Sequence, residues 1–173
     1  KKQLKPVKTL IFNELKLTST DLYFYKIKNL NNRKLDFDVF LPSKGVNLQR
    51  EKVWNLDQKR ELIISILIER NIPNICAISL IDYNDERGGD IIQIIDGKQR
   101  LTTMIDFIND GFTVILEDEE FLFSELPDDY KFKINHYEIR GQLAYDQYGQ
   151  SISDNTKINW FKAINFFGSP QEI

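Results

Sequence analysis

The run Asp96-Gly97-Lys98-Gln99-Arg100 carries the residue types best suited to hold an anion. It follows the apolar stretch Ile91 to Ile95 and opens a segment with helical patterning that reaches Asn109. A strand feeding a helix brings the chain to free N–H groups and to the positive end of the helix dipole, and both favour a phosphate. Gly97 lets a ligand come close to the backbone. Lys98 and Arg100 add positive charge, and a guanidinium grips phosphate with paired hydrogen bonds. The run is not a Walker A loop, because no glycine lies five residues before Gly97. A ligand-free use is also open: Asp96 with Gln99 would form a capping box, with Lys98 merely solvated.

Two further segments hold polar residues beside aromatics. In Gln49-Arg50-Glu51-Lys52-Val53-Trp54, Arg50 is placed to reach a phosphate, while Trp54 fits the core or a ligand. In Phe161-Lys162-Ala163-Ile164-Asn165, followed by Gly168, Asn165 suits a helix C-terminus or a ligand contact. The single cysteine, Cys76, excludes an internal disulfide and a cysteine-based zinc site. It sits in an apolar run and reads as a buried, reduced thiol, which suggests a cytoplasmic setting. The single histidine, His136, excludes a His-based metal site and an HNH-type nuclease centre. No Gly-x-Ser-x-Gly elbow exists to give it a serine partner, so it reads as structural.

The elements that must position these residues follow from the hydrophobic pattern. A length of 173 residues predicts one domain with or without a short appendage. Hydrophobic residues make up 42% and charged residues 28%, with no apolar run long enough to span a membrane and no signal-peptide pattern. Thr9 to Phe12 reads as a short strand, and Ser19-Thr20-Asp21 caps a helix through Tyr23, Tyr25 and Ile27. Phe37, Val39 and Leu41 alternate like a strand, which Pro42 to Gly45 breaks. Trp54 to Glu69 is the clearest helix, capped by Asn55 or Asp57. Ile75 to Ile81 and Ile91 to Ile95 read as paired strands joined by a polar turn. A helix from Gly97 to Asn109 closes on Gly111 in the left-handed conformation. Phe112 to Leu116 reads as a strand, Glu117 to Glu120 as an acidic turn, Ile134 to Ile139 as another strand, and Gly141 to Asp154 as a loop. Thr156 caps a last helix through Phe167. The fold class is α+β.

Charge is uneven along the chain. Residues 1–52 carry net +7, residues 53–100 net −2 and residues 101–173 net −8. A basic first third on an acidic body either offers one face to phosphates or is a solvated arm.

In order, the segments Gln49-Arg50, Trp54, Leu62-Ile63-Ile64-Ser65-Ile66-Leu67, Ile72-Pro73, Asp96-Gly97-Lys98-Gln99-Arg100-Leu101-Thr102-Thr103-Met104 and Phe161…Asn165…Gly168 resemble a known family. It is the domain of unknown function DUF262, the N-terminal domain of GmrSD-type modification-dependent restriction proteins. The resemblance covers roughly residues 37–170, with Asp96 to Thr103 its specific part. It implies a ParB/sulfiredoxin-like fold, a small mixed sheet with packed helices, over residues 36–173, preceded by a basic arm or helix over 1–35.

The resemblance also implies binding and hydrolysis of a nucleoside triphosphate with Mg²⁺, coupled to restriction of modified phage DNA. By position, Asp96, Gln99 and Arg100 would be the catalytic residues. Arg100 would hold phosphate, Gln99 would position a phosphate or water, and Asp96 would order the loop, bind Mg²⁺ through water or act as a base. Gln49, Arg50, Gly97, Lys98, Thr102 and Asn165 would complete the nucleotide site. Lys98 stands where the family motif has its first Gln, which keeps charge at the site but not that amide. Nothing in the chain resembles a DNA-cutting centre, so a nuclease domain or subunit outside it would supply the cutting. The alternative on the same fold is a non-catalytic module binding DNA through Lys26, Lys28, Arg33 and Lys34, or a protein-interaction module; no membrane partner is expected.

Overall fold

The structure is a computed structural model. It describes residues 15–17, 23–49, 53–82, 84–146 and 152–167. The predicted strand at Thr9 to Phe12, the residues Ser19 to Asp21, and Arg50 and Gly168 lie outside the described residues.

The architecture is α+β. A mixed sheet is built from β1 (Leu15–Leu17), β10 (Glu138–Asp146), β6 (Ile75–Ile81), β7 (Asp90–Asp96) and β3 (Lys34–Asp36), in that order across the sheet. A sixth strand, β2 (Tyr23–Lys26), pairs with the start of β10, while β1 pairs with its end. The β6–β7 pair is the predicted hairpin. β10 runs parallel to β6 and β3 parallel to β7. Two small ribbons stand apart: β4 (Phe40–Leu41) with β5 (Val46–Asn47), and β8 (Val114–Leu116) with β9 (Glu119–Phe121).

Alternate side chains of the central strands serve two cores, which is why these strands read as unbroken apolar runs rather than as half-polar ones. Ile75, Ala77, Ile92 and Ile94 face a cluster with Leu62, Ile63 and Ile66 of α1 (Leu56–Leu67), Leu101, Met104 and Phe107 of α2 (Lys98–Ile108), and Ile134 of α3 (Asp128–Asn135). Cys76, Ile78 and Ile95 face the opposite cluster, with Val39, Leu41, Ala144 and Trp160 of α4 (Asp154–Phe167). The predicted Asn55 cap of α1 is present as a full capping box. The Asn55 side chain accepts the Gln58 N–H at 2.9 Å, and the Gln58 side chain accepts the Asn55 N–H at 3.0 Å.

Several local expectations are corrected. Tyr23 to Lys26 is a strand, not a helix; its aromatic residues favour a pleated surface, and pairing with β10 outweighs the helical spacing. The chain then makes a 3-10 helix over Ile27–Asn32, with Ile27 and Leu30 buried in the first core. The strand expected over Phe37 to Leu41 is interrupted, because Val39 takes φ 50. Ile134 and Asn135 end α3, and the strand begins only at Glu138. Gly141 to Asp146, read as loop, completes β10 in the middle of the sheet. Gly141 fits there because a Cβ would lie 2.6 Å from the Ile75 carbonyl oxygen.

Helix α2 ends on Asp110 at φ 60, not on Gly111. Gly111 instead donates its N–H to the Asp106 carbonyl at 2.8 Å, and any side chain on it would strike Asp106. Within the acidic stretch only Glu117 and Asp118, at φ 49 and 65, form the turn; Glu119 and Glu120 belong to β9. Ser153, not Thr156, caps α4, its hydroxyl accepting the Thr156 N–H at 3.2 Å. Among the described residues no helix is long and apolar enough to cross a membrane.

Candidate functional site

The candidate site forms where β7 hands the chain to α2. The β6–β7 register slips there: Ala77 faces Ile94 while Cys76 faces Asp96, so Ile95 is an extra residue in β7. A bulge of this kind bends a strand and re-aims the side chains beyond it. It also takes carbonyls out of the ladder. Gln49 satisfies them: its Nε2 donates to the Ile94 and Ile95 carbonyls, each at 2.7 Å. Gln49 therefore clasps the bulge, and this places the residue before Arg50 against the strand that leads to Asp96.

Gly97 is the N-cap of α2, at φ 112 and ψ 9, and among the described residues no side-chain cap bond is seen. The expected Asp96–Gln99 capping box is absent. Asp96 Oδ2 instead accepts from an Arg100 guanidinium nitrogen at 3.1 Å, and Gln99 Oε1 accepts the Trp54 N–H at 3.1 Å. Glycine at this position answers two demands. Its φ is one that side chains rarely tolerate, and a Cβ would lie 2.2 Å from Ile75 Cδ1. Gly97 itself has no side chain to cap the helix, and the backbone donors of the first turn of α2 lie beside Lys98 and Arg100.

Arg100 is largely buried and extends across the Asn74 segment, donating to the Asn74 carbonyl at 3.1 Å as well as to Asp96. Its Nε is buried without a hydrogen-bond partner. Such an orphan is uncommon in folded proteins and leaves the guanidinium with one donor unsatisfied. Lys98 Nζ pairs with Asp38 Oδ1 at 3.2 Å. Thr102 turns its hydroxyl onto its own helix, donating to the Lys98 carbonyl at 2.7 Å. Asn165 lies on α4 and donates to the Phe161 carbonyl at 2.8 Å in the same helix, whereas β7 and α2 join the other described site residues.

A groove of about 610 Å³ opens beside Arg100, between α1 and the segment 71–73. Trp54, Leu62, Ile72 and Pro73 give it apolar walls, and Asp57 and Glu61 give it an acidic rim. Trp54 thus serves both readings, packing on the first core and lining the groove.

Cys76 lies opposite Asp96 in the ladder and is buried. Burial pushes its thiol up to about 12, with the Asp96 carboxylate adding to the effect and Arg100 opposing it. It is a protonated, inert thiol at neutral pH. His136 ends α3, its ring stacked on Phe132 at 4.0 Å, with Nδ1 near the Phe132 carbonyl at 3.0 Å and Nε2 near Lys28 Nζ at 3.3 Å. Its contacts are those of a structural residue.

Two members of the site were not foreseen. Asp38 lies between the alternating apolar residues Phe37 and Val39 and belongs to no motif, and Asn74 contributes only its carbonyl, which no sequence pattern marks.

Among the described residues no group of three or more His, Cys, Asp or Glu could hold a metal. Asp96 is the carboxylate at the turn itself. A single carboxylate suits Mg²⁺ that arrives with phosphate oxygens and keeps most of its water.

A model of the family described as "GmrSD restriction endonuclease, N-terminal domain" matches residues 27–170. No curated protein matched the chain, and no solved structure did.

Proposed function

The chain belongs to the family of GmrSD restriction endonuclease N-terminal domains, and on that footing we propose that it binds and hydrolyses a nucleoside triphosphate within a restriction or phage-defence protein. The observation that carries the reading is the α2 N-terminus. Among the described residues no side-chain cap bond is seen there, two cations flank it, and the Nε of one of them is buried without a partner. In this reading the phosphates lie on the first turn of α2, held by its N–H groups, Lys98 and Arg100. The groove beside Arg100 takes the remainder of the nucleotide, and Arg50 completes the grip on the phosphates.

Gln99 positions a phosphate or the attacking water, its side chain fixed by the Trp54 N–H. Asp96 orders the turn through Arg100, and its carboxylate serves as base or as a water-mediated contact to Mg²⁺. Mg²⁺ would supply charge that neutralises the phosphates. Phosphoryl transfer asks a protein mainly for positioning and electrostatics, which this set provides in kind. DNA cutting is assigned to a nuclease domain or subunit outside this chain.

The test is a titration with the four ribonucleoside triphosphates and Mg²⁺, reading thermal shift and phosphate release, with Arg100→Ala alongside. A ligand at ~100 times its Kd stabilises by roughly 2.7 kcal/mol, which is about 5–10 °C for a chain of this size. Stabilisation and phosphate release, both lost in Arg100→Ala, are the expected result. A well-folded sample that responds to no nucleotide overturns the reading.

The second reading, a non-catalytic module that binds DNA, rests on the net +7 of residues 1–52. It has fewer cations available than the sequence offers, because Lys34 is held by Asp82 and Asp85, each at 2.8 Å.

A further inference from the structure

The lysine assigned to the phosphates already holds a carboxylate. We propose that Asp38 is a built-in competitor for the phosphate site, an autoinhibitory contact that an arriving phosphate must displace from Lys98. The proposal rests on the nucleotide reading above and adds its regulation.

Three observations support it. The first is the ion pair itself: Asp38 Oδ1 stands 3.2 Å from Lys98 Nζ, at the first residue of α2, so the carboxylate meets a cation where a phosphate oxygen would. Asp38 is 68% exposed and Lys98 only 20%, so the carboxylate is the partner free to leave.

The second is how the carboxylate is aimed. Asp36 Oδ1 accepts the N–H groups of both Asp38 and Val39, at 3.1 and 3.0 Å, and its Oδ2 accepts from Gln93 Nε2 at 3.0 Å. The Val39 carbonyl accepts the Leu48 N–H at 3.0 Å. The turn is thus anchored on β7 and on the segment that carries Gln49, at positions short of Asp38 and beyond it.

The third is strain. Val39 is β-branched, wholly buried, and held at φ 50. A branched side chain in that region is a true outlier, and such outliers persist where the surroundings impose them, often at switches. Here the imposed conformation follows directly on Asp38. Asp36 and the Leu48 N–H hold that conformation, so the Asp38 carboxylate stays aimed at Lys98 and only its ion pair yields to a phosphate.

The test is calorimetric titration with inorganic tripolyphosphate, with and without Mg²⁺, and with the four ribonucleoside triphosphates in parallel. The proteins are the unmodified chain, Asp38→Asn, Lys98→Ala, the double variant, and Arg100→Ala. Asp38→Asn is expected to bind about two- to fivefold tighter, the range of an exposed ion pair. The gain persists without Mg²⁺ and disappears in the Lys98→Ala background, as a double-mutant cycle requires for a direct contact. Thermal melting of Asp38→Asn stays close to that of the unmodified chain.

If the unmodified chain binds and Arg100→Ala does not, yet Asp38→Asn binds no tighter, the competitor is refuted while the nucleotide reading stands. Binding weakened only when Mg²⁺ is present would make Asp38 a metal contact and likewise overturn the proposal. No binding by any variant would refute both.

Discussion

Replacing Gly97 by Ala tests whether the site is shaped by the close contact between β6 and the α2 turn. The new methyl would lie 2.2 Å from Ile75 Cδ1 and 3.3 Å from Cγ1 and Cγ2. Ile75 is 1% exposed, so its end cannot swing into solvent. The left-handed backbone costs roughly 1–2 kcal/mol for a residue with a Cβ. Overpacking a closed core costs about 1–3 kcal/mol more. A loss near ~3 kcal/mol lowers Tm by about 6–12 °C in a chain of this size.

The steric part is separable. Ile75→Val removes Cδ1 and alone costs about 0.5–1.5 kcal/mol. In the double variant the new methyl fills the vacated space, so the combined loss falls short of the sum by ~1–2 kcal/mol. Urea unfolding of the four proteins measures this, provided the slope with denaturant is unchanged. A Gly97→Ala protein that melts with the unmodified chain, or strict additivity with Ile75→Val, refutes the packing argument.

Two further perturbations have signs set by the structure. Lys157 is 7% exposed, and burial lowers its pKa against the pull of Asp154 and Asp36. The folded state therefore binds fewer protons than the unfolded one between that lowered value and the unfolded pKa of ~10.4, and stability rises with pH across the window. Lys157→Met is expected to raise Tm by a few degrees at pH 7, with the gap closing as pH approaches 10; a lower Tm at pH 7 counts against it. Asp82 and Asp85 are both held below the usual carboxylate range, first by their hydrogen bonds to Lys34. Their stabilisation is fully present above the unfolded pKa of ~3.9 and is lost as pH falls through the lower folded values. Lys34→Gln should move the acid-unfolding midpoint to higher pH, and an unmoved midpoint in a circular-dichroism titration would contradict this.

The sequence was most legible where one local pattern decided the outcome. The α1 helix, its Asn55 cap and the β6–β7 pair come from periodicity, a capping residue and continuous apolar runs. The chain from Ile134 to Asp146 was misread because its strand is polar and starts late. β10 earns its place through Gly141, whose missing side chain admits the Ile75 carbonyl, and hydropathy does not register that property. At the site, the order strand, glycine, helix was legible from Asp96-Gly97 onward. The partners were not. Gln49 looked like a ligand residue, yet both its amide hydrogens go to the bulge at Ile94 and Ile95, and a bulge leaves no trace in a pattern of alternating apolar residues. Asp38 reaches Lys98 from 60 residues away, a pairing that only the folded sheet creates.

The position of β10 also sets the order in which the chain can assemble. The β6–β7 hairpin is local and closes over one short turn. The other edge of β6 stays open until Gly141 arrives to pair with Ile75, and the chain between them must first fold out of the way. Pairing at such separation is slow, since loop closure precedes any reward. During synthesis the edge Ile75-Cys76-Ala77-Ile78 is therefore exposed while some sixty further residues are made, an unpaired and apolar template for other chains. A piece cut before Glu138 would keep that edge permanently, so the turn between β7 and α2 cannot be isolated by trimming the chain to α1, the hairpin and α2.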